Sequence, residues 1–138
     1  MVLTTYLGFK GNCREAFDYY AKVLGGKIVF RMTYGESPMA QQHPESKDKI
    51  MHNTLSVPEG GLLNGADAPP GQGSPQSGFS VCVGVKDAAE GKKIFDGLAE
   101  GGKVHMPFDK TFWSAGFGMC IDKFGVPWMV NTDGPMPN

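Results

Sequence analysis

The sequence predicts an α+β domain built from two tandem βαβββ modules, and three observations carry that reading. Gly25-Gly26-Lys27-Ile28-Val29 returns as Gly101-Gly102-Lys103-Val104-His105. Each copy follows a stretch of helical character and opens a strand-like one. A short apolar run precedes each helical stretch, Tyr6-Leu7-Gly8-Phe9 in one half and Phe79-Ser80-Val81-Cys82-Val83 in the other. The same order of elements in each half implies internal duplication with a pseudo-two-fold axis. A domain of this kind tends to bind ligands in the concavity of its sheets.

The elements follow in order. Thr4 to Phe9 alternates as a first strand. Asn12 is placed to cap the next helix, and Glu15 completes the outline of a capping box. Ala16, Phe17, Tyr20, Val23 and Leu24 then fall on one helical face. Leu24-Gly25-Gly26 ends that helix, with a glycine suited to a left-handed terminus. Lys27 to Tyr34 is a second strand. Gly35 to Asp48, polar and holding Pro38 and Pro44, reads as a mobile loop. Lys49 to Val57 alternates, with Ile50, His52, Thr54 and Ser56 on one face and Met51, Asn53, Leu55 and Val57 on the other. Gly61 to Asn64 is a short fourth strand.

The first module spans 1–67, a glycine- and proline-rich linker spans 68–77, and the second module spans 78–138. In the second, Gly78 to Val85 is a strand and Asp87 to Glu100 a helix with Asp87 as N-cap and Glu90 at its box position. Strands follow at Lys103 to Phe108, Gly116 to Asp122 and Pro127 to Thr132, with Lys123-Phe124-Gly125 as the last turn.

Bulk properties exclude several classes of function. The chain has 138 residues and a net charge of -1, with a pI near 6.3. That length suits one domain with one sizeable core. There is no basic stripe, so nucleic acid is not an expected partner. No apolar run approaches the roughly 18 residues that mark a membrane span. The N-terminal residues lack the regions of a signal peptide. Cys13, Cys82 and Cys120 are odd in number and widely spaced, which fits reduced packing residues in a cytoplasmic protein.

Certain residues become specific when taken together. The helix end Tyr19-Tyr20-Ala21-Lys22-Val23-Leu24-Gly25-Gly26, in the setting of two βαβββ units, resembles the vicinal oxygen chelate superfamily. That superfamily includes glyoxalase I, extradiol dioxygenases, fosfomycin resistance enzymes and bleomycin-binding proteins. Further pieces resemble its PhnB-like branch: Tyr6-Leu7-Gly8-Phe9, Cys13-Arg14-Glu15-Ala16, Met32-Thr33-Tyr34-Gly35, and the ending with Phe117-Gly118, Asp122-Lys123-Phe124-Gly125 and Trp128. The resemblance covers nearly the whole chain. It implies curved mixed sheets forming a bowl, the glyoxalase/bleomycin resistance-like fold, and a homodimer.

The resemblance also implies a divalent ion held by His, Gln or Glu, which stabilises an oxyanion as a Lewis acid. Its ligand positions fall near Thr4 or Thr5, near Leu63 or Asn64, near Ser80 and on Met129. None suits a hard or borderline divalent ion, so no metal ligand is assigned and no cofactor is expected. Some PhnB-like proteins carry a demethylubiquinone methyltransferase label. With no glycine-rich cofactor loop in the sequence, methyl transfer is disfavoured.

His52 is the leading candidate for chemistry. Its alternation partners Thr54 and Ser56 are polar, so it should face away from the helices, where imidazole serves as acid, base or donor. The alternative is a histidine bonded across the sheet. Trp113 lines a pocket mouth or joins the core, whereas Trp128 reads as core. Asn131 and Asp67 are further ligand-binding candidates, while Asp122 reads as a turn residue. His105 reads as a strand or dimer-surface residue and His43 as a solvated loop residue. The sequence therefore favours a module that binds a small organic molecule without the usual metal. The alternative is a lyase, isomerase or dioxygenase with an atypical metal site around His52, completed by Glu36 or Asp67.

Overall fold

The computed structural model describes residues 1–38, 40–42, 44–69 and 71–133. His43, expected to be a solvated loop residue, lies outside the described residues. The chain divides into two compact units, Met1–Pro75 and Gln76–Asn138. In the first, β1 (Thr5–Phe9), α1 (Cys13–Leu24), β2 (Lys27–Thr33), β3 (Ile50–Ser56) and β4 (Leu62–Asp67) form a sheet of order β1-β4-β3-β2. In the second, β5 (Val81–Val85), α2 (Ala88–Ala99), β6 (Lys103–Asp109), β7 (Phe117–Ile121) and β8 (Pro127–Thr132) form a sheet of order β5-β8-β7-β6. Both sheets are mixed: β1 runs parallel to β4 and β5 to β8, and the other pairs are antiparallel. Neither sheet closes on itself. The predicted α+β duplication is therefore present.

The repeated Gly-Gly-Lys has one physical cause in both places. Gly25 and Gly101 have φ of 66° and 75°, left-handed values that let the chain leave the helix. The glycine after each lies against a neighbouring strand. A Cβ on Gly26 would meet the Ser56 carbonyl oxygen at 2.6 Å, and one on Gly102 would collide with the Ile121 carbonyl oxygen. Lys27 and Lys103 then open β2 and β6 opposite those same residues.

Each helix covers one face of its own sheet. Cys13, Ala16, Phe17 and Tyr20 of α1 are buried, as are Leu7, Phe9, Leu55 and Leu63 of the strands beneath. Each of these leucine and phenylalanine side chains contributes about 1.5–3 kcal/mol when buried. A Cβ on Gly65 would sit 2.6 Å from the Phe17 ring, and one on Gly118 would sit 2.8 Å from Phe95 of α2. These positions therefore mark the helix side of each sheet. Their chain neighbours, Asn64 and Ala66 in one unit and Phe117 and Met119 in the other, face away from the helices.

Several local expectations are corrected. Asn12 makes no side-chain cap bond, whereas Asp87 caps α2 as expected, accepting from Ala89 N at 2.8 Å. The fourth strand runs on to Asp67 because β4 pairs with β1 as far as Phe9↔Asp67. Ile50 is fully buried and Met51 half-buried, the reverse of the simple alternation, at a register slip between Met32 and Thr33. The segment read as a mobile loop has a bonded stem. Tyr34 N donates to Lys49 O and Gly35 N to Lys47 O, and a single 3-10 turn occupies Pro44–Ser46.

Candidate functional site

The helix-free face of the first sheet carries a row set by strand register. Tyr6 lies beside Asn64, Asn64 beside Thr54, and Thr54 beside Phe30. His52 is the next residue along β3 on the same face, opposite Met32. Gly8 pairs with Ala66 in the row beside it. A Cβ on Gly8 would meet nothing within 4 Å. The face thus has a flat floor of small residues, with Tyr6 and His52 standing next to it.

Hydrogen bonds join these side chains into one chain. Tyr6 Oη lies 3.1 Å from His52 Nδ1, and Thr54 Oγ1 lies 3.2 Å from His52 Nε2. Thr54 donates to Asn64 Oδ1 at 2.7 Å, and Asn64 Nδ2 donates to Thr4 Oγ1 at 3.2 Å. A hydroxyl has one proton to give. Thr54 gives its proton to Asn64, so it must accept from His52 Nε2. Neutral His52 therefore carries its proton on Nε2, and Nδ1 accepts from Tyr6. Burial, together with nearby Cys13 and Tyr34, raises the Tyr6 pKa and keeps that phenol a donor. Every bond then points one way, from Tyr6 towards Thr4. The rings of Tyr6 and Phe30 lie 5.5 Å and 5.6 Å from the imidazole and give it an aromatic border.

The equivalent face of the second sheet differs in chemistry. Asn131 lies beside Gly84 and Phe117. Its Nδ2 donates to Asp133 Oδ1 at 2.7 Å, which fixes the amide, and its Oδ1 is buried without a partner among the described residues. Trp113 is 42% exposed and meets Phe117 edge-on at 5.4 Å. Trp128 is core, with Nε1 donating to buried Asp122 Oδ2 at 2.8 Å. Asp122 also accepts from Phe124 N and Val126 N, as a turn residue would.

Asp67 belongs to the fold. Its Oδ1 accepts from Gly11 N at 2.9 Å and Cys13 N at 3.0 Å, and its Oδ2 accepts from Ile50 N at 2.9 Å. The residue is 2% exposed, so its oxygens are committed to backbone and the expectation of a ligand contact is withdrawn. Glu36 is likewise occupied: Thr33 N and Oγ1 both donate to its Oε1, which holds its pKa below the usual carboxylate value. Tyr6 and Phe30, which border His52 on this face, were not singled out by the sequence, and Asn64 entered only as a position that the resemblance gives to a metal ligand. The alternation that singled out His52 could have found Tyr6, since Leu7 and Phe9 flank the opposite face.

A family model described as 3-demethylubiquinone-9 3-methyltransferase matches residues 2–131. The chain belongs to that family. It is the PhnB-like branch of the glyoxalase/bleomycin resistance superfamily. Protein YjdN of Escherichia coli K12 is 36% identical over 140 residues, covering 95% of each chain. Protein PA1353 of Pseudomonas aeruginosa is 42% identical, with a TM-score of 0.89 over 98% of this chain and 99% of that one. The PhnB protein of Bacillus cereus is 25% identical, with a TM-score of 0.79 over 96% of this chain and 99% of that one. A glyoxylase/bleomycin resistance protein/dioxygenase domain from Frankia sp. EAN1pec, 14% identical, shares the fold with a TM-score of 0.65 over 96% of each chain.

At the positions where the resemblance places ligands of a divalent ion, this PhnB-like chain carries neutral or soft side chains. Thr4 and Asn64 are neutral and bonded to each other. Met129 offers a thioether, a soft donor unsuited to a hard ion. Both His52 nitrogens meet neutral hydroxyls. Among the described residues, no three His, Cys, Asp or Glu side chains converge on a common point.

Proposed function

We propose that this PhnB-like protein binds a small organic molecule on the helix-free faces of its sheets, without a divalent metal. The observation that carries the reading is the one-way chain Tyr6–His52–Thr54–Asn64–Thr4 beside the Gly8–Ala66 floor. A preset line of donors and acceptors on an apolar-bordered face suits a flat ligand with one or two polar groups. His52 and Thr54 are the polar contacts we assign on the first sheet. On the second, Trp113 offers an aromatic surface, and Asn131 Oδ1, buried with no hydrogen-bond partner among the described residues, is an acceptor that a ligand would have to uncover. Asp67 is left out for the reason given above.

The enzyme alternative requires two charged or imidazole ligands beside His52. Its ring meets Tyr6 and Thr54 instead, and Glu36 and Asp67 are bonded elsewhere. No specific observation favours that reading. We also take the protein to act as a homodimer in the cytoplasm. Exposed Val29 and Val104 on the outer strands β2 and β6 support the first point, and three free cysteines support the second. No helix among the described residues is long and apolar enough to cross a membrane.

The test is a thermal-shift screen of aromatic and heteroaromatic acids, amides and phenols, followed by calorimetry on the hits. A ligand that binds one per module or per chain, and is weakened at least about tenfold by His52→Ala or Asn131→Ala, supports the reading. A ligand indifferent to His52, Thr54, Trp113 and Asn131 substitutions places binding elsewhere and overturns it.

A further inference from the structure

The second sheet carries a feature that organic-ligand binding does not require. Cys82 of β5 lies beside Met129 of β8, Met129 beside Met119 of β7, and Met119 beside Met106 of β6. Cys82, Met129 and Met119 thus form one row across three strands, and Met106 adjoins its end at a pairing flanked by register shifts on both sides. Gly118, whose Cβ would strike Phe95 of α2, fixes the helix side, so Met119 and its row partners face away from it. Cys82 and Met106 are exposed, and Met119 and Met129 are half-buried. The row is therefore reachable by a small ion.

The fold does not demand sulfur here. Strand for strand, the same row of the first sheet is Tyr6, Asn64, Thr54 and Phe30, with no sulfur at all. Three of the chain's eight methionines and the one exposed cysteine of three are gathered in the second-sheet row. Scattered gap-filling would not place them in register.

We infer that this row is a binding site for a soft monovalent cation of the Cu(I) class, held by Cys82, Met129 and Met119, with Met106 at its outer end. Thiolate and thioether sulfur select soft ions over hard ones. The strand geometry suits the task. Neighbouring strands lie about 4.7–4.9 Å apart, close to twice a metal–sulfur bond of about 2.3 Å. An ion between sulfurs on adjacent strands is reached from both sides without moving the backbone. Methionine's unbranched side chain can make the remaining adjustment. On binding, the Cys82 S–H bond breaks, its proton passes to solvent and an S–Cu bond forms. The thioethers add as neutral donors and nothing is oxidised or reduced. This inference shares the helix-free face of the second sheet with the organic-ligand proposal but uses neither His52 nor Asn131, so variants at the sulfur row and at those two residues test the two separately.

The experiment titrates the full, reduced chain with Cu(I) in competition with a chromophoric Cu(I) chelator. Ag(I) and native mass spectrometry serve as a redox-inert check. One ion per chain is expected, with one proton released and affinity rising about tenfold per pH unit below the thiol's pKa. The double variant Met119→Leu, Met129→Leu keeps the volume and apolarity of the face, and it should weaken binding more than about tenfold. Cys82→Ser should weaken it further, while both variants melt as the parent does. Three results would overturn the inference: no ion bound at one equivalent, binding that survives Cys82→Ser, or a double leucine variant that binds as well as the parent. The last would mean a lone thiol.

Discussion

Asp67 Oδ1 accepts the backbone N–H of Cys13 at 3.0 Å, across 54 residues of chain. With Gly11 N and Ile50 N on the same carboxylate, one side chain at the end of β4 fastens the first turn of α1 and the start of β3. Asn12, the local candidate for that role, makes no side-chain cap bond. Asp67→Ala should leave three amides short of a partner in a buried place and cost about 2–4 kcal/mol. Urea unfolding of the variant measures the loss. A loss under about 0.5 kcal/mol would mean that water replaces the carboxylate freely.

The direction of the His52 chain is open to a direct check. Nitrogen-15 spectra of the neutral imidazole should show the Nε2–H tautomer. Tyr6→Phe should leave Nδ1 without its donor and weaken any ligand held by His52, with little change in stability because Tyr6 is 56% exposed. An Nδ1–H tautomer would contradict the hydroxyl bookkeeping at Thr54.

Thiol reactivity should rank by burial. Cys82 is exposed, whereas Cys13 and Cys120 are buried. Burial, and then the nearby Asp67 and Asp122 respectively, push the Cys13 thiol up to about 12 and the Cys120 thiol up to about 11. At neutral to mildly alkaline pH, a disulfide reagent should modify one thiol in the native chain and all three in denaturant. Cys82 itself should react more slowly than a free cysteine, since partial desolvation by its neighbours and then Asp133 raise its pKa as well.

The same shifts predict alkaline instability. A thiol whose folded pKa lies above its unfolded value of 9.0 favours folding fully below that value. The advantage is lost as pH rises towards about 12 for Cys13. By roughly pH 10.5 the loss from Cys13 should be about 2 kcal/mol. Chemical unfolding across this range should show the decline, and Cys13→Ala should flatten it.

The two Gly-Gly turns make a paired prediction. Gly26→Ala and Gly102→Ala should each destabilise by about 1–3 kcal/mol, because the added methyl meets a strand carbonyl in both cases. The Gly102 change should be the worse, since its Cβ would also press on the Asp122 backbone. Equal and negligible losses would mean that the repeat has no common structural cause.

Much of the fold was legible because its signals are local. The Gly-Gly-Lys repeat, the helical spacing of Ala16, Phe17 and Tyr20, and the Asp87 cap act within a few residues of themselves. The face of β3 that carries His52 was legible for the same reason, since its neighbours alternate with buried Asn53 and Leu55. The inversion at Ile50 and Met51 was not legible, because a register slip depends on the partner strand. The backbone bonds of Asp67 were not legible either, because an acid after a strand looks the same whether it faces a ligand or a distant helix.

By itself, then, the sequence determined which segments become strands and helices, where each unit turns, and the apolar face of a strand wherever its alternation runs unbroken. These follow from periodicities of 3.6 and 2 that a short window contains. Tertiary structure alone decided what stands next to what. It put Asp67 under α1, Tyr6 against His52, and Cys82 in line with Met129 and Met119. Each pairing joins residues distant in sequence, and strand register brings them within bonding or packing reach without leaving a mark in either segment.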